Sequence, residues 1–81
     1  MSENSREKIR AEIQRALAGK PYIFRQDKQR QAIDGLSPGV LSNMDAAGTG
    51  VAGAIMIGRK IAYPIDSYID WVVSRITEVQ K

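Results

Sequence analysis

The stretch from Asp34 to Pro38 constrains the fold of this chain most, because it ends one helix and starts another. Gly35 is typical of the residue that terminates a helix. Ser37 and Pro38 form a strong helix start, since serine caps the first turn and proline fits the first helical position without losing a hydrogen bond. Leu36 is the apolar residue that holds the two helices together. The spacing predicts two helices joined by a tight turn, which is a helix-turn-helix arrangement.

The helix before this turn is predicted from Lys28 to about Asp34. Asp27 precedes it and is a suitable N-cap residue. We expect Ala32 and Ile33 to be its buried side chains. A helix this short gains little stability alone, so it must pack against the rest of the chain.

The helix after the turn is predicted from Pro38 to about Ala47, and Gly48 stops it. Its inward face is expected to consist of Val40, Leu41 and Met44. A helix enters the major groove of DNA, about 12 Å wide, when its exposed side chains are small or chemically matched to the bases. The opposite face of this helix has that character, with Gly39, Ser42, Asn43 and Ala46.

Three residues of this second helix are candidates for reading bases. Asn43 can form a bidentate pair with adenine, Ser42 can bond several base edges, and Gly39 permits close approach. Ser37, at the helix start, is a candidate contact to the DNA backbone. We therefore predict that residues 38–47 are a recognition helix in the major groove.

Residues 54–63 have the pattern of a β-hairpin. Ile55 and Ile57 alternate before the turn residues Gly58 and Arg59, and a second alternating run follows. Arg59 and Lys60 are thereby placed at the hairpin tip. Such a charged pair is either an ordinary solvated turn or a wing that reaches backbone phosphates or the minor groove.

The formal charge is +3, and basic residues are most frequent in residues 1–30. Arg25, Lys28 and Arg30 are candidates for secondary contacts to DNA. An N-terminal helix is predicted over residues 5–18, with Asn4 as its cap. This helix is available to a second copy of the chain, to a protein partner, or to additional basic contacts through Arg6, Arg10 and Arg15. Residues 22–24 are an apolar run that is too short to predict as a strand. A last helix is predicted to be capped by Asp66 or Ser67, and Trp71 is expected to be buried in it.

The chain has 81 residues without cysteine or histidine, which excludes disulfides and the usual zinc ligand sets. Residues 1–81 are expected to form a single domain, mainly α with a small β-hairpin. We expect no cofactor, no metal and no enzymatic activity, because Asp66 and Asp70 are ordinary partners of a helix start. The polar N-terminus and the absence of a long apolar run predict a cytoplasmic protein that does not insert into membranes.

Four short motifs in this order resemble the excisionase and AlpA-type regulators, small winged-helix proteins related to the MerR DNA-binding domain. The motifs are Leu36-Ser37-Pro38 with Leu41 and Asn43; Asp45 with Gly48 and Gly50; Ile57-Gly58-Arg59-Lys60 with Tyr63 and Pro64; and Asp70-Trp71. The resemblance covers about residues 22–76 and leaves the N-terminal helix as an addition. It implies a winged helix-turn-helix that binds double-stranded DNA, with Gly58 and Arg59 at the wing tip. It also implies a recombination directionality factor or a small transcriptional regulator of a phage or mobile element.

A second hypothesis is a winged-helix module that binds proteins and not DNA. The predicted recognition helix favours it, because this helix has no lysine or arginine and Asp45 is unfavourable near phosphate. Arg59 and Lys60 favour DNA binding instead. The salt dependence of DNA binding separates the two hypotheses, since phosphate contacts release counterions.

Overall fold

The computed structural model describes residues 3–76, which form four α-helices and one three-stranded antiparallel sheet. The predicted helices and hairpin are present. The fold is nevertheless mixed α/β, because the apolar run after the first helix forms a third strand. The elements are α1 (Glu3–Ala16), β1 (Tyr22–Phe24), α2 (Lys28–Asp34), α3 (Pro38–Ala46), β2 (Ile55–Ile57), β3 (Lys60–Pro64) and α4 (Ile65–Ser74).

The strands are ordered β1-β3-β2, so the last strand along the chain lies in the centre of the sheet. Ile57 pairs with Lys60 and leaves Gly58 and Arg59 as a two-residue loop. Gly58 has a φ of 62° and Arg59 has a negative φ, which is the pattern of a type II′ hairpin turn. This turn matches the right-handed twist of the strands and fixes the register of the hairpin.

The core lies between one face of the sheet and helix α4. Ile23 of β1 and Tyr63 of β3 are paired in the sheet, and both are buried. Helix α4 contacts β1 and β3, and α1 packs on α4. The buried core consists of Leu17, Ile23, Leu41, Val51, Tyr63, Tyr68, Ile69, Val72 and Val73.

The short helices α2 and α3 begin and end where their caps predict. The Asp27 carboxylate accepts a hydrogen bond from the Gln29 N–H at 2.8 Å, and Gly35 is the C-cap of α2. The Ser37 hydroxyl oxygen accepts one from the Val40 N–H at 3.2 Å. The Asp27 and Ser37 side chains each satisfy an N–H group that the first helical turn leaves free.

The caps predicted for the two longer helices are wrong. Helix α1 begins at Glu3, so Asn4 lies inside it. Helix α4 begins at Ile65 directly after β3, and no side chain caps it. Asp66 and Ser67 lie inside the first turn of α4, so neither is its N-cap, and the Ile65 N–H donates instead to the Pro21 carbonyl oxygen at 3.1 Å.

The sequence predicts Ala32 and Trp71 to be buried, and neither is fully buried. Ala32 is exposed, because Arg30 and Ile33 occupy the inward side of α2. Trp71 is half-buried: its indole N–H donates to the Thr49 carbonyl oxygen at 3.0 Å, and the Arg75 guanidinium lies 5.0 Å from the centre of its ring. Its indole therefore holds the loop after α3 against α4 while packing on the edge of the core.

Candidate nucleic-acid interface

Helix α3 presents small, uncharged side chains to solvent. Gly39, Ser42, Asn43 and Ala46 are all exposed, as the helical spacing predicts. Leu41, on the opposite side, is fully buried and fixes the rotation of the helix about its axis. Asn43 consequently lies in the middle of the exposed face, with its amide available for pairing to a ligand.

Val40 differs from the prediction that it belongs to the inward face. Val40 is 44% exposed. It lies three residues after the N-cap of α3 and directly before Leu41, which is buried. The inward side of α3 is filled by Leu41 together with Met44 and Asp45, both half-buried. The exposed face of α3 therefore carries one branched apolar side chain among small ones.

Asp45 is turned away from this face and bound inside. Its Oδ2 accepts a hydrogen bond from the Arg25 guanidinium at 2.6 Å and another from the Tyr63 hydroxyl at 2.7 Å. The Arg25 Nε–H in turn donates to the Tyr63 hydroxyl oxygen at 2.8 Å. The Arg25 and Asp45 side chains are only 19% and 17% exposed. The Asp45 carboxylate, which is unfavourable beside phosphate, is therefore neutralised by Arg25. It also links the end of α3 to β3 and to the residue that follows β1.

Tyr63 titrates abnormally in this cluster. Burial away from water raises the pKa of Tyr63 to about 12, and the hydrogen bond with Asp45 acts in the same direction. The hydrogen bond from Arg25 opposes both effects. The phenol therefore stays protonated well beyond neutral pH and continues to donate to Asp45.

The loop after α3 passes directly over the same carboxylate. A Cβ at Gly50 would lie 1.7 Å from Asp45 Oδ1, a distance that no side chain tolerates. Glycine at this position is what allows the backbone to cross the end of α3. The loop and the helix are therefore held in a fixed relation as the chain enters the hairpin.

Arg30 is not available to DNA, contrary to prediction. It is 0% exposed, and its guanidinium donates at 2.8 Å to each of three oxygens, of Arg25, Asp34 and Leu36. Asp34 is held from the other side by the Tyr68 hydroxyl at 2.8 Å. The arginine thus ties α2 to the turn that precedes α3, and its charge stabilises that turn.

The hairpin carries two cations, Arg59 in its turn and Lys60 at the start of β3. Arg59 and Lys60 are exposed, and within the described part of the chain neither forms an ion pair. The Lys60 ammonium lies 6.0 Å from the centre of the Phe24 ring. Lys60 and Tyr63 are three residues apart on β3, so their side chains point to opposite faces of the sheet.

The remaining predicted residues differ in availability. Lys28 is exposed and has no ion-pair partner among residues 3–76. Ser37 is exposed, but its hydroxyl oxygen already caps α3. Arg25 is largely enclosed and bound to Asp45. Of the three secondary basic candidates, only Lys28 is fully accessible.

The sheet also has an apolar outer face. Phe24 and Ile55 flank Ala62 in the strand register, on the side opposite Ile23 and Tyr63. Phe24 and Ile55 lie outside the core cluster, and Ile55 is 38% exposed. Three further large apolar residues of the strands are exposed, namely Tyr22, Met56 and Ile57.

Helix α1 is held to α4 by polar contacts as well as by its apolar side. The Arg10 guanidinium bonds Asp70 Oδ1 at 2.6 Å, and Arg6 donates to the Ile76 carbonyl oxygen at 3.4 Å. Lys8 and Arg15 are both exposed on this helix. Part of the basic charge of α1 is therefore used within the fold, and part faces solvent.

No family model, no curated protein and no solved structure matches this chain. Among residues 3–76, no group of acidic side chains is arranged to hold a metal ion. None of the helices in that range combines the length and apolar character needed to cross a membrane. The geometry of α3, the hairpin and their anchoring contacts is therefore the guide to function.

Proposed function

We propose that this protein binds double-stranded DNA as a winged helix-turn-helix, with α3 in the major groove and the β2–β3 hairpin as the wing. The observation that carries the proposal is the exposed face of α3, small and uncharged around Asn43, together with a cationic hairpin tip. Arg59 and Lys60 are the wing contacts to the backbone or minor groove, and Gly39, Ser42 and Asn43 approach the bases.

The distribution of charge supports different roles for helix α3 and for the β2–β3 hairpin. The outer face of α3 carries no charge, since Asp45 is paired with Arg25 inside the fold. Such a face reads base edges but contributes little attraction to phosphate. The wing supplies that attraction, because Arg59 and Lys60 have no acidic neighbour to cancel them in the described chain.

The biological role that fits this proposal is architectural or regulatory. Small winged-helix proteins of the excisionase and AlpA type, which the sequence resembles, serve as recombination directionality factors or as regulators of phage and mobile-element genes. We assign this chain to the same kind of role, without chemistry of its own. A single copy has few phosphate contacts, so a partner bound through α1 would increase affinity.

Amide chemical-shift mapping during titration with random-sequence duplex DNA tests the proposal. The expected shifts are in residues 37–47 and 57–61. Two to four phosphate contacts per monomer would give a slope of log K against log salt concentration of about −2 to −4. A folded protein that binds no duplex at low salt would refute DNA binding.

The apolar outer face of the sheet favours a second candidate, a module that binds proteins. Exposed apolar patches mark interaction sites when they are contiguous, and Ile55 and Ile57 share one side of β2 with Phe24 and Tyr22 nearby in the sheet. Under this alternative, duplex DNA leaves the amide spectrum unchanged. Sedimentation of the protein alone would then show self-association that Ile55→Ser and Ile57→Ser abolish.

A further inference from the structure

Val40 has no evident role in the stability of the fold. It is the one large apolar side chain that is exposed on a helix among the described residues, since the others exposed lie in strands. It is not in the core cluster, nor among the residues packed against that cluster. Leu41, its neighbour, supplies the buried contact of α3.

Valine is also a poor choice for this helix position on local grounds. Val40 is three residues after the Ser37 N-cap, where Glu or Gln would complete a capping box. A β-branched residue loses side-chain freedom in a helix and so lowers its stability slightly. A residue that breaks a local rule without a structural gain indicates a functional site.

We propose that Val40 contacts the C5-methyl group of a thymine in the major groove, beside the adenine that Asn43 recognises. This inference rests on the proposed function and names the chemistry of the preferred DNA. Thymine is the one base of unmodified DNA with a methyl group in that groove, and apolar side chains contact it there. Asn43 is chemically matched to adenine, the partner of thymine in the same base pair.

The spacing on α3 allows both contacts at once. Residues three apart on a helix are neighbours, with Cβ atoms about 5–6 Å apart. Successive base pairs are about 3.4 Å apart along the duplex, so Val40 and Asn43 face the same pair or adjacent pairs. Gly39, exposed beside Val40 and without a side chain, lets the helix start approach the groove floor closely.

The test replaces thymine with deoxyuridine, which differs only by lacking the methyl group. The preferred duplex is first selected from a random pool, and each thymine is then replaced in turn. At one or two positions, deoxyuridine should weaken binding of the wild-type protein about fourfold, the effect expected for burial of one methyl group. Val40→Ala, whose shorter side chain withdraws from the methyl group, should show a clearly smaller preference for thymine over deoxyuridine.

Asn43→Ala is the matched control on the same helix face. It should bind more weakly overall yet keep the preference for thymine over deoxyuridine, because its valine is intact. Unchanged melting temperatures would show that both variants fold. A wild-type protein indifferent to every replacement, or a Val40→Ala variant that keeps the full preference, overturns the inference and leaves DNA binding standing. Absence of any duplex binding overturns both.

Discussion

Four basic residues of this protein form two contrasting groups that the sequence does not separate. Arg25 and Arg30 lie inside, each within hydrogen-bond distance of a carboxylate, Asp45 or Asp34. Arg59 and Lys60 lie at the hairpin tip, with no acidic partner in the described chain. The first group fixes the two ends of α3, while the second is accessible to a polyanion. The position of a carboxylate decides which basic residue stabilises the fold and which can bind.

The largest effect is expected at the most buried of these residues. Arg30→Ala should lower the free energy of unfolding by about 3–5 kcal/mol, because it leaves Asp34 charged and enclosed. Denaturant unfolding followed by circular dichroism measures this. The double variant Arg30→Ala, Asp34→Ala should lose less than the sum of the two single variants. A loss below about 1 kcal/mol for Arg30→Ala would place the pair with ordinary surface ion pairs.

Alkaline pH should weaken the hydrogen-bonded cluster of Tyr63, Arg25 and Asp45. The pKa of Tyr63 is about 12 in the folded protein against 10.0 for an ordinary tyrosine. Its contribution to stability is complete below pH 10 and is lost as the pH rises from 10 to 12, since the unfolded chain releases the proton first.

The expected loss over this interval is on the order of 2–3 kcal/mol. Urea unfolding at a series of pH values measures it. Burial also raises the pKa of Tyr68, so a slope in the same direction remains in Tyr63→Phe, but it should be shallower than in the wild type. Equal slopes for the two proteins would show that Tyr63 ionises normally.

Two glycine variants separate the interior from the exposed face of α3. Gly50→Ala should cost about 1–3 kcal/mol, because the new methyl group collides with Asp45 and displaces it from Arg25. Gly39→Ala is the matched control: its Cβ would meet only the Ser37 hydroxyl oxygen, at 3.9 Å. Alanine there should raise the melting temperature, since it favours helix. Equal destabilisation by both variants would contradict the close approach of loop and helix.

The predictable parts of the fold are those set by neighbouring residues. Asp27 and Gly35 bound α2, and the turn at Gly58 fixes the hairpin, because caps and turns act over a few residues. Strand β1 was not predicted, since three residues give no periodicity and its partner, Tyr63, is distant in sequence. Its pairing is visible only when the chain has folded.

The candidate site was only partly predictable for a similar reason. The exposure of Asn43 follows from helical spacing, but Val40 and Leu41 are both apolar, and nine residues do not fix which of them faces inward. The burial of Arg30 depends on oxygens of Arg25, Asp34 and Leu36 converging on it. Its spacing of four residues from Asp34 is the one local signal of that pairing.

The wing should respond in the opposite way to the interior. Replacing Arg59 and Lys60 with alanine should change the free energy of unfolding by less than about 0.5 kcal/mol, since exposed turn residues contribute little. The variant Lys8→Ala, Arg15→Ala is the control, because it removes the same charge from exposed positions of α1. Both double variants should therefore melt close to the wild type.

The most direct test is the salt dependence of duplex binding by these three proteins. The Arg59→Ala, Lys60→Ala variant should bind every duplex more weakly, with a salt slope shallower by about one to two units than that of the wild type. The α1 variant should keep the wild-type slope. An unchanged slope for the folded wing variant, with a reduced slope for the α1 variant, would contradict the account and move the DNA-binding surface to α1.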